Sequence, residues 1–284
     1  MITESPSAIG AQPGQAVSVV RFAGLDCKEV VHGIAGRWGG VSQGPFASLN
    51  LSKKTGDDAQ HVDTNRALFR EYLRAPEAGM VLGRLTHGTA VATFRQGATL
   101  PDLHRQEPDW PAFSADAAIS DIPGLTVVMT FADCVPILVW DPSHRACALI
   151  HAGWRGTAER IASKTIGRLK ATFGAQPSDL RVGIGPSIGP CCYAVGADVV
   201  AAFHQGYGAE SKQFINDHML DLWSANLHDL ESAGVHRKAV ESLATCTSCH
   251  QEAYFSHRAE SGRTGRFGAA IGIAALPLPD LPIG

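Results

Sequence analysis

The sequence predicts an α+β (mixed α/β) fold, with mixed β-sheets flanked by helices. The chain has 284 residues, of which 45% are hydrophobic, so it can bury a large core. Apolar runs typical of buried strands are interleaved with segments of helical periodicity. The two kinds of segment do not follow the strict β–α alternation of a doubly wound sheet, which favours an α+β arrangement.

Apolar runs predict the buried strands, and a turn signal predicts how two of them connect. Asp141-Pro142-Ser143-His144 has the residue types of a tight turn and stands between two runs, so we expect a hairpin there. The predicted strands are Leu125–Phe131, Ile137–Trp140, Cys147–Ile150, Arg181–Ile184 and Ala269–Ala274.

The clearest helix is expected from about Thr157 to Phe173, because apolar residues recur there at roughly helical spacing on one side. Glu159 would lie in its first turn, where the helix dipole favours a negative charge. Gly174 follows as a residue suited to end it. The other predicted helices are Val62–Leu73, Gly196–Gln205 and Met219–Ala233.

Composition excludes several classes of partner. The net charge is −3 and 18% of residues are charged, which leaves no electrostatic footprint for a nucleic acid. We find no apolar run of about 18 residues, so a membrane span is not expected. The seven cysteines are scattered, which favours a reducing, cytoplasmic setting. We expect a disordered tail over residues 1–17, one catalytic domain over residues 18–284, and a monomer.

Three separate segments carry residues suited to bind a metal. Cys134 stands between two predicted strands, His151 ends a predicted strand before a glycine-bracketed turn, and His87 lies in a polar turn. Two imidazoles and one thiolate can bind zinc and leave a fourth position open, as in catalytic zinc sites. Spacing alone does not group the three residues, because they are far apart along the chain. Arg155, Gly156 and the amides that open the next helix predict an adjacent anion site.

Several long motifs occur in an order that resembles the multicopper polyphenol oxidoreductase (laccase-like) family, also called the YfiH or purine nucleoside phosphorylase family. The resemblance covers nearly the whole chain after the tail. The segments that carry it are Arg37–Leu51, Thr55–Asp57, Asn65-Arg66, His87–Thr89, Ser114–Ala117, Thr130–Pro136, His151–Thr157, Ile184–Gly196, Tyr254–Arg258 and Thr264–Arg266.

The resemblance implies a fold, a metal site and an activity. The fold would be the YfiH-like fold, similar to that of cytotoxic necrotizing factor. The family's metal triad falls on His87, Cys134 and His151, with Zn²⁺ as the expected ion and copper as the alternative. The implied activity is phosphorolysis of adenosine, inosine, guanosine and methylthioadenosine, together with deamination of adenosine. Leu85 stands where the family often has Gln, so a contact around the ligand His87 is expected to differ.

Further residues are candidates for contact with substrate or phosphate. Arg37, Arg155 and Arg258 stand in loop motifs and suit a bidentate grip on phosphate, as does Arg266. Asp133 beside Cys134 is a candidate to orient a ligand or to act as a base. His257 is a candidate proton shuttle or a polar residue of the core. We interpret two cysteine pairs, Cys191-Cys192 and Cys246/Cys249, as structural, because a lone C-x-x-C lacks the second half of a four-cysteine zinc site.

Three alternatives to the zinc phosphorylase stay open from the residues. Cys134 could be the nucleophile of a cysteine hydrolase that acts on an amide or a peptidoglycan precursor, with His151 as its base. A copper-dependent phenol oxidase is the second alternative. The third is a binding protein without turnover that uses the same pocket.

Overall fold

The computed structural model describes residues 17–75, 79–97 and 112–275. The predicted tail, residues 1–17, lies outside the described residues except for Val17. The strands, in chain order, are Val19–Val20 (β1), Val30–Ala35 (β2), Met80–Arg84 (β3), Val91–Phe94 (β4), Ala112–Ser114 (β5), Ala117–Ser120 (β6), Thr126–Phe131 (β7), Val135–Asp141 (β8), Ala146–Ala152 (β9), Arg181–Ile184 (β10), Ile215–Asn216 (β11), Met219–Leu220 (β12), Val240–Ser242 (β13) and Phe267–Ile273 (β14).

Five α-helices are described, and they are Ala59–Leu73 (α1), Trp154–Ala158 (α2), Ile161–Phe173 (α3), Ala197–Tyr207 (α4) and Leu222–Ser232 (α5). None of these described helices has the length and apolar character needed to cross a bilayer. Two six-stranded sheets hold most of the strands. The first sheet has the order β1-β2-β14-β7-β3-β5, and the second has the order β13-β10-β8-β9-β6-β4. Both sheets contain parallel and antiparallel pairs, so the predicted mixed α+β fold is confirmed.

The two sheets pack face to face, and helices cover their outer faces. Alternate residues of β8 show this: Leu138 packs into the core between the sheets, whereas Ile137 and Val139 pack against α3 and its neighbours. The outer face of the first sheet packs against α1 through residues such as Phe69. Both faces of the central strands are therefore buried, which explains why these strands appear in the sequence as continuous apolar runs.

The predicted hairpin is confirmed, with longer strands than the apolar runs indicated. β8 and β9 pair antiparallel from Val135↔Ala152 to Asp141↔Ala146. The buried Asp141 carboxylate accepts hydrogen bonds from the backbone N–H groups of Ser143 and His144, at 2.9 and 3.2 Å, and so fixes the turn.

Three helix predictions were wrong at their N-terminal ends, and the first of these helices, expected from Val62, begins at Ala59. The helix expected from Thr157 is split into α2 and α3, because Arg160 takes a left-handed conformation with φ of 61°. Its guanidinium bonds to the Asp229 carboxylate at 3.2 Å, which holds the break in place. Glu159 thus lies at the break and not in a first turn. The helix expected from Met219 begins at Leu222, because Met219–Leu220 form β12.

Candidate metal centre and its surroundings

The candidate site lies where the chain crosses from the first sheet to the second. β3, β5 and β7 are parallel neighbours in the first sheet, so they end at the same edge. After each of them the chain passes into the second sheet, as β4, β6 and β8. His87 lies on the first of these crossings, Asp116 on the second and Cys134 on the third. His151 reaches the same place on β9, which is antiparallel to both β6 and β8. We call this place the crossover edge.

The crossover edge brings together the three residues that the sequence singled out. The ligand atoms of His87, Cys134 and His151 all lie within 4.8 Å of one another. The two imidazole rings are 5.2 Å apart, centroid to centroid, and nearly perpendicular. Two ring nitrogens and one sulfur at this separation suit a tetrahedral Zn²⁺ ion with one position left open. The residues present therefore fit the metal that the sequence predicts.

Asp116 supports two of these residues, a role that no local sequence pattern predicted. Its carboxylate is fully buried and lies 3.0 Å from Nδ1 of His151, so that Nδ1 donates to it and Nε2 is left to bind a metal. The same carboxylate accepts hydrogen bonds from the backbone N–H groups of Thr86, His87 and Gly88 and from the Thr86 hydroxyl. These bonds hold His87 in its left-handed backbone conformation, with φ of 58°.

The electrostatics of the site follow from burial and from its charged neighbours. Burial opposes the charged form of His151, but Cys134 and Asp116 outweigh it and raise the pKa of His151 to about 9. Burial and then the neighbouring His151 lower the pKa of His87. Burial favours the neutral acid at Asp116, but hydrogen bonds from His151 and Thr86 hold the pKa of Asp116 well below its usual value. Asp116 is therefore a carboxylate that fixes the protonation and orientation of its histidine.

Gly153 lets the backbone pass close to the candidate metal ligands. A Cβ atom at this position would lie 3.0 Å from Sγ of Cys134, and 3.7 and 3.9 Å from the rings of His151 and His87. Its φ of −77° is accessible to any residue, so the space beside the ligands, and not the backbone, requires glycine here. Gly156, a predicted phosphate contact, is buried against the carbonyl oxygen of Gly88.

Asp133 precedes Cys134 and is held from several sides. It has a positive φ of 83° and is almost fully buried. Its carboxylate accepts hydrogen bonds from the hydroxyls of Thr247 and Ser256, each at 2.7 Å, and from the backbone N–H of Arg258 at 2.6 Å. This geometry suits a residue that positions Cys134. The role as a base stays a prediction.

Four arginines were predicted near the site, and they differ in what surrounds them. Arg37 donates from all three guanidinium nitrogens to protein partners, including the Glu260 carboxylate at 2.9 Å. Arg258 donates to the carbonyl oxygen of Ala194 at 2.8 Å. The Arg266 side chain donates to the carbonyl oxygens of Thr264 and Gly265, at 3.0 and 2.8 Å, and lies 3.3 Å from the His257 ring.

Arg155 is exposed, as is Arg258, but unlike the other three arginines it makes no hydrogen bond to the described residues. Its guanidinium carbon lies 4.1 Å from the ring centre of Trp154, and the residue is exposed. It makes no ion pair with any of the residues that the structure describes. Burial and the neighbouring His151 lower the pKa of His87 most, and the positive charge of Arg155 lowers it further. The charge of Arg155 is therefore felt at a candidate metal ligand.

The two cysteine pairs, which we interpret from the sequence as structural, lie close together in the fold. The structure places Cys191, Cys192, Cys246 and Cys249 in one group, with ligand atoms within 4.8 Å of one another. Cys191-Cys192 therefore lies beside the C-x-x-C that stands alone in the sequence.

Two imidazoles and one thiolate, with a buried carboxylate behind one histidine, form a possible metal-binding group at the junction of the two sheets. The family model described as multi-copper polyphenol oxidoreductase laccase matches residues 31–274 of the chain. The chain therefore belongs to this family, as its sequence motifs predicted. Among the described residues, potential metal ligands form two groups of three or more, the triad and the four cysteines. His87 and His151 are the two histidines in these groups.

Relatives and solved structures agree with this assignment. The purine nucleoside phosphorylase YlmD of Geobacillus stearothermophilus is 37% identical over 249 residues, which are 85% of this chain and 89% of the relative. A purine nucleoside phosphorylase of Bacteroides thetaiotaomicron is 34% identical over 85% of this chain and 91% of its own length. The crystal structure of the Geobacillus YlmD superposes with a TM-score of 0.82 at 33% identity, covering 94% of this chain and 99% of that one. The chain is therefore similar to enzymes over most of its length.

Proposed function

We propose that the protein is a zinc-dependent purine nucleoside phosphorylase that acts on adenosine, inosine, guanosine and methylthioadenosine and also deaminates adenosine. The observation that carries the proposal is the convergence of His87, Cys134 and His151 on one point, with Asp116 behind one of the histidines. Relatives that match most of the chain bear the name purine nucleoside phosphorylase, which supports the choice of substrate class.

Different residues of the site are proposed to hold the metal and the phosphate. Zinc held by His87, Cys134 and His151 would supply Lewis-acid chemistry. Arg155 is our candidate to hold phosphate, because the residue is exposed and its charge contributes to lowering the pKa of His87. The predicted phosphate contacts at Arg37, Gly156 and Arg258 are less favourable, because the two arginines already bond to protein acceptors and Gly156 is buried.

The burial of Asp133 and its three hydrogen bonds favour a positioning role for this residue. Both of its carboxylate oxygens already accept protein donors, so it is poorly placed to take a proton from substrate. We propose that it fixes the backbone that presents the Cys134 sulfur. Phosphorolysis needs no strong base, because phosphate attacks C1′ of the ribose as an anion that Arg155 can orient. The bond from C1′ to the purine nitrogen breaks, and the departing purine takes up a proton from solvent.

The decisive experiment is incubation of the purified protein with adenosine, with and without phosphate, while adenine, inosine and hypoxanthine are resolved. Phosphate-dependent adenine shows phosphorolysis, and phosphate-independent inosine shows deamination. We expect both products, and we expect Cys134→Ala to lose the metal at this site together with both activities. Full turnover by a metal-free Cys134→Ala protein would disprove the zinc mechanism.

One observation favours a second candidate, the cysteine hydrolase. His151 lies close enough to Cys134 for the thiolate charge and a hydrogen bond to raise the pKa of His151, and Asp116 orients the ring as the third member of a Cys–His–Asp arrangement. A substitution at His87, which the hydrolase mechanism does not use, distinguishes the two functions. His87→Ala removes zinc and turnover if the site is a metal centre, whereas a hydrolase that uses only the other three residues stays active and is inactivated by iodoacetamide.

A further inference from the structure

A second group of potential metal ligands lies beside the site already described. Cys191 and Cys192 stand in the loop after β10, and Cys246 and Cys249 stand in the loop after β13. β10 and β13 are parallel neighbours, with Val182 paired to Val240, so both loops leave the second sheet at the same end. This pairing explains how cysteines more than fifty residues apart come together.

The spacing of the four sulfurs fits one metal ion. All four lie within 4.8 Å of one another, and Sγ of Cys249 is 3.5 Å from that of Cys191 and 3.4 Å from that of Cys192. Tetrahedral zinc with bonds of about 2.3 Å places its sulfur ligands about 3.8 Å apart. A disulfide would need about 2.05 Å, and all the cysteines are free thiols here.

The backbone around one cysteine has the arrangement expected of a thiolate ligand. The N–H of Gly189 donates to Sγ of Cys246 at 3.2 Å, which supplies a partner for a negatively charged sulfur. The Cys246-Thr-Ser-Cys249 turn is closed by the N–H of His250, which donates to the carbonyl oxygen of Cys246 at 3.1 Å. A C-x₂-C turn of this kind is a usual half of a four-cysteine zinc site.

We propose that Cys191, Cys192, Cys246 and Cys249 bind a structural Zn²⁺ ion, separate from the metal centre on His87, Cys134 and His151. Four thiolates complete a tetrahedral shell and leave no position for substrate, so this ion has a structural role. It cross-links the two loops.

Both loops that the ion joins contact Asp133. The N–H of Ile188 donates to the carbonyl oxygen of Asp133 at 2.9 Å, and the Thr247 hydroxyl donates to its carboxylate at 2.7 Å. Asp133 is the neighbour of the ligand Cys134. The structural zinc therefore stabilises the segment that presents a ligand of the first centre.

The test is the metal content of protein purified with a thiol reductant and without a chelator, measured by mass spectrometry. We expect two zinc ions per chain in the native protein and one in Cys249→Ser. Cys249 is exposed, so the substitution removes a ligand without opening a cavity in the core. Cys27→Ser is the matched control, since Cys27 is a free cysteine outside both groups, and it should retain two ions. An unchanged zinc content in Cys249→Ser overturns the proposal.

A second measurement holds even if Cys249→Ser does not fold. Cys134→Ser removes the one thiolate of the first centre, so cobalt bound to that variant shows sulfur-to-cobalt charge-transfer absorption only if the four-cysteine group binds it. We expect this absorption to persist in Cys134→Ser. Its complete loss, or a disulfide among the four cysteines in the reduced protein, overturns the proposal. Neither measurement uses activity, so failure of the proposed function leaves this test intact.

Discussion

Asp116→Asn tests whether the buried carboxylate prepares the metal centre. The substitution keeps the size of the side chain but replaces one carboxylate oxygen with an amide NH₂ group. In the native protein, the carboxylate accepts five hydrogen bonds, from Thr86 N, Thr86 Oγ1, His87 N, Gly88 N and His151 Nδ1. An amide can accept with only one of its two heavy atoms, so at least one buried donor loses its partner.

The size of the effect follows from these contacts. Removing the carboxylate that orients a ligating histidine typically weakens metal binding 10- to 100-fold, or by about 1.4–2.8 kcal/mol. The buried donor that is left unpaired lowers the free energy of unfolding by about 1–3 kcal/mol. We therefore expect Asp116→Asn to fold at reduced stability and to bind zinc at least tenfold more weakly than the native protein.

Zinc affinity is measured by competition with a chromophoric chelator, and stability by urea denaturation. Asp141→Asn is the matched control, because Asp141 is also fully buried, accepts backbone N–H bonds and lies 2.8 Å from Nδ1 of His144, but at the opposite end of the hairpin. It should destabilise the fold and leave zinc affinity unchanged. Equal zinc affinity in the native protein and Asp116→Asn, or equal losses in the two variants, would refute the reasoning.

Three further predictions test the surroundings of the site and the core. Arg155→Ala should raise the KM for phosphate at least tenfold and leave the zinc content unchanged. The control Arg168→Ala, on an exposed face of α3, should leave the KM for phosphate unchanged. Equal KM values for phosphate in the two variants would contradict the phosphate role of Arg155. Gly153→Ala should weaken zinc binding and turnover with little change in stability, because its Cβ would press on Sγ of Cys134, and Gly167→Ala, which has open space at its Cβ, is the control. Burial, then the charge of Arg21, lowers the pKa of His32 to about 3, so the unfolded chain binds a proton at His32 below pH 6.5 that the native state does not. Stability should therefore fall as pH falls, by about 2 kcal/mol from this residue between pH 7.5 and pH 5, and urea titrations should show a shallower pH dependence in His32→Gln.

Local signals in the sequence predicted the elements that depend on neighbouring residues. The apolar runs found the central strands because those strands are buried on both faces. The Asp141-Pro142 turn found the hairpin because its side-chain bond to the backbone is made within three residues. Asp58, by contrast, caps α1 and places its start at Ala59, three residues before the predicted Val62. Boundaries were therefore less well predicted than the elements themselves.

Features that depend on tertiary contacts were not predicted. The break at Arg160 is held by an ion pair with Asp229, a residue of another helix, so no local pattern revealed it. Asp116 stood in a quoted family motif, but its role depends on His151, which lies 35 residues later. The sequence signal for this role was weak: Asp116 is a single carboxylate between two alanines at a strand junction, with no cation nearby in sequence. The metal triad itself came from the resemblance to a family and not from spacing.

The strand pairing of the second sheet explains why the His87/Cys134/His151 triad and the four cysteines lie at one edge of that sheet. Leu149 and His151 point toward the first sheet, where the His151 ring lies 5.4 Å from that of Phe131, whereas Ile150 packs toward the helices. A slip of one residue would turn His151 to the helix side and separate it from Asp116. The N-terminal end of β8 lies at this edge, as do the C-terminal ends of β10 and β13, because β10 is antiparallel to β8 and parallel to β13. The same strand pairing therefore gathers the triad and the four cysteines at this edge, with Asp133 in contact with the loops of both.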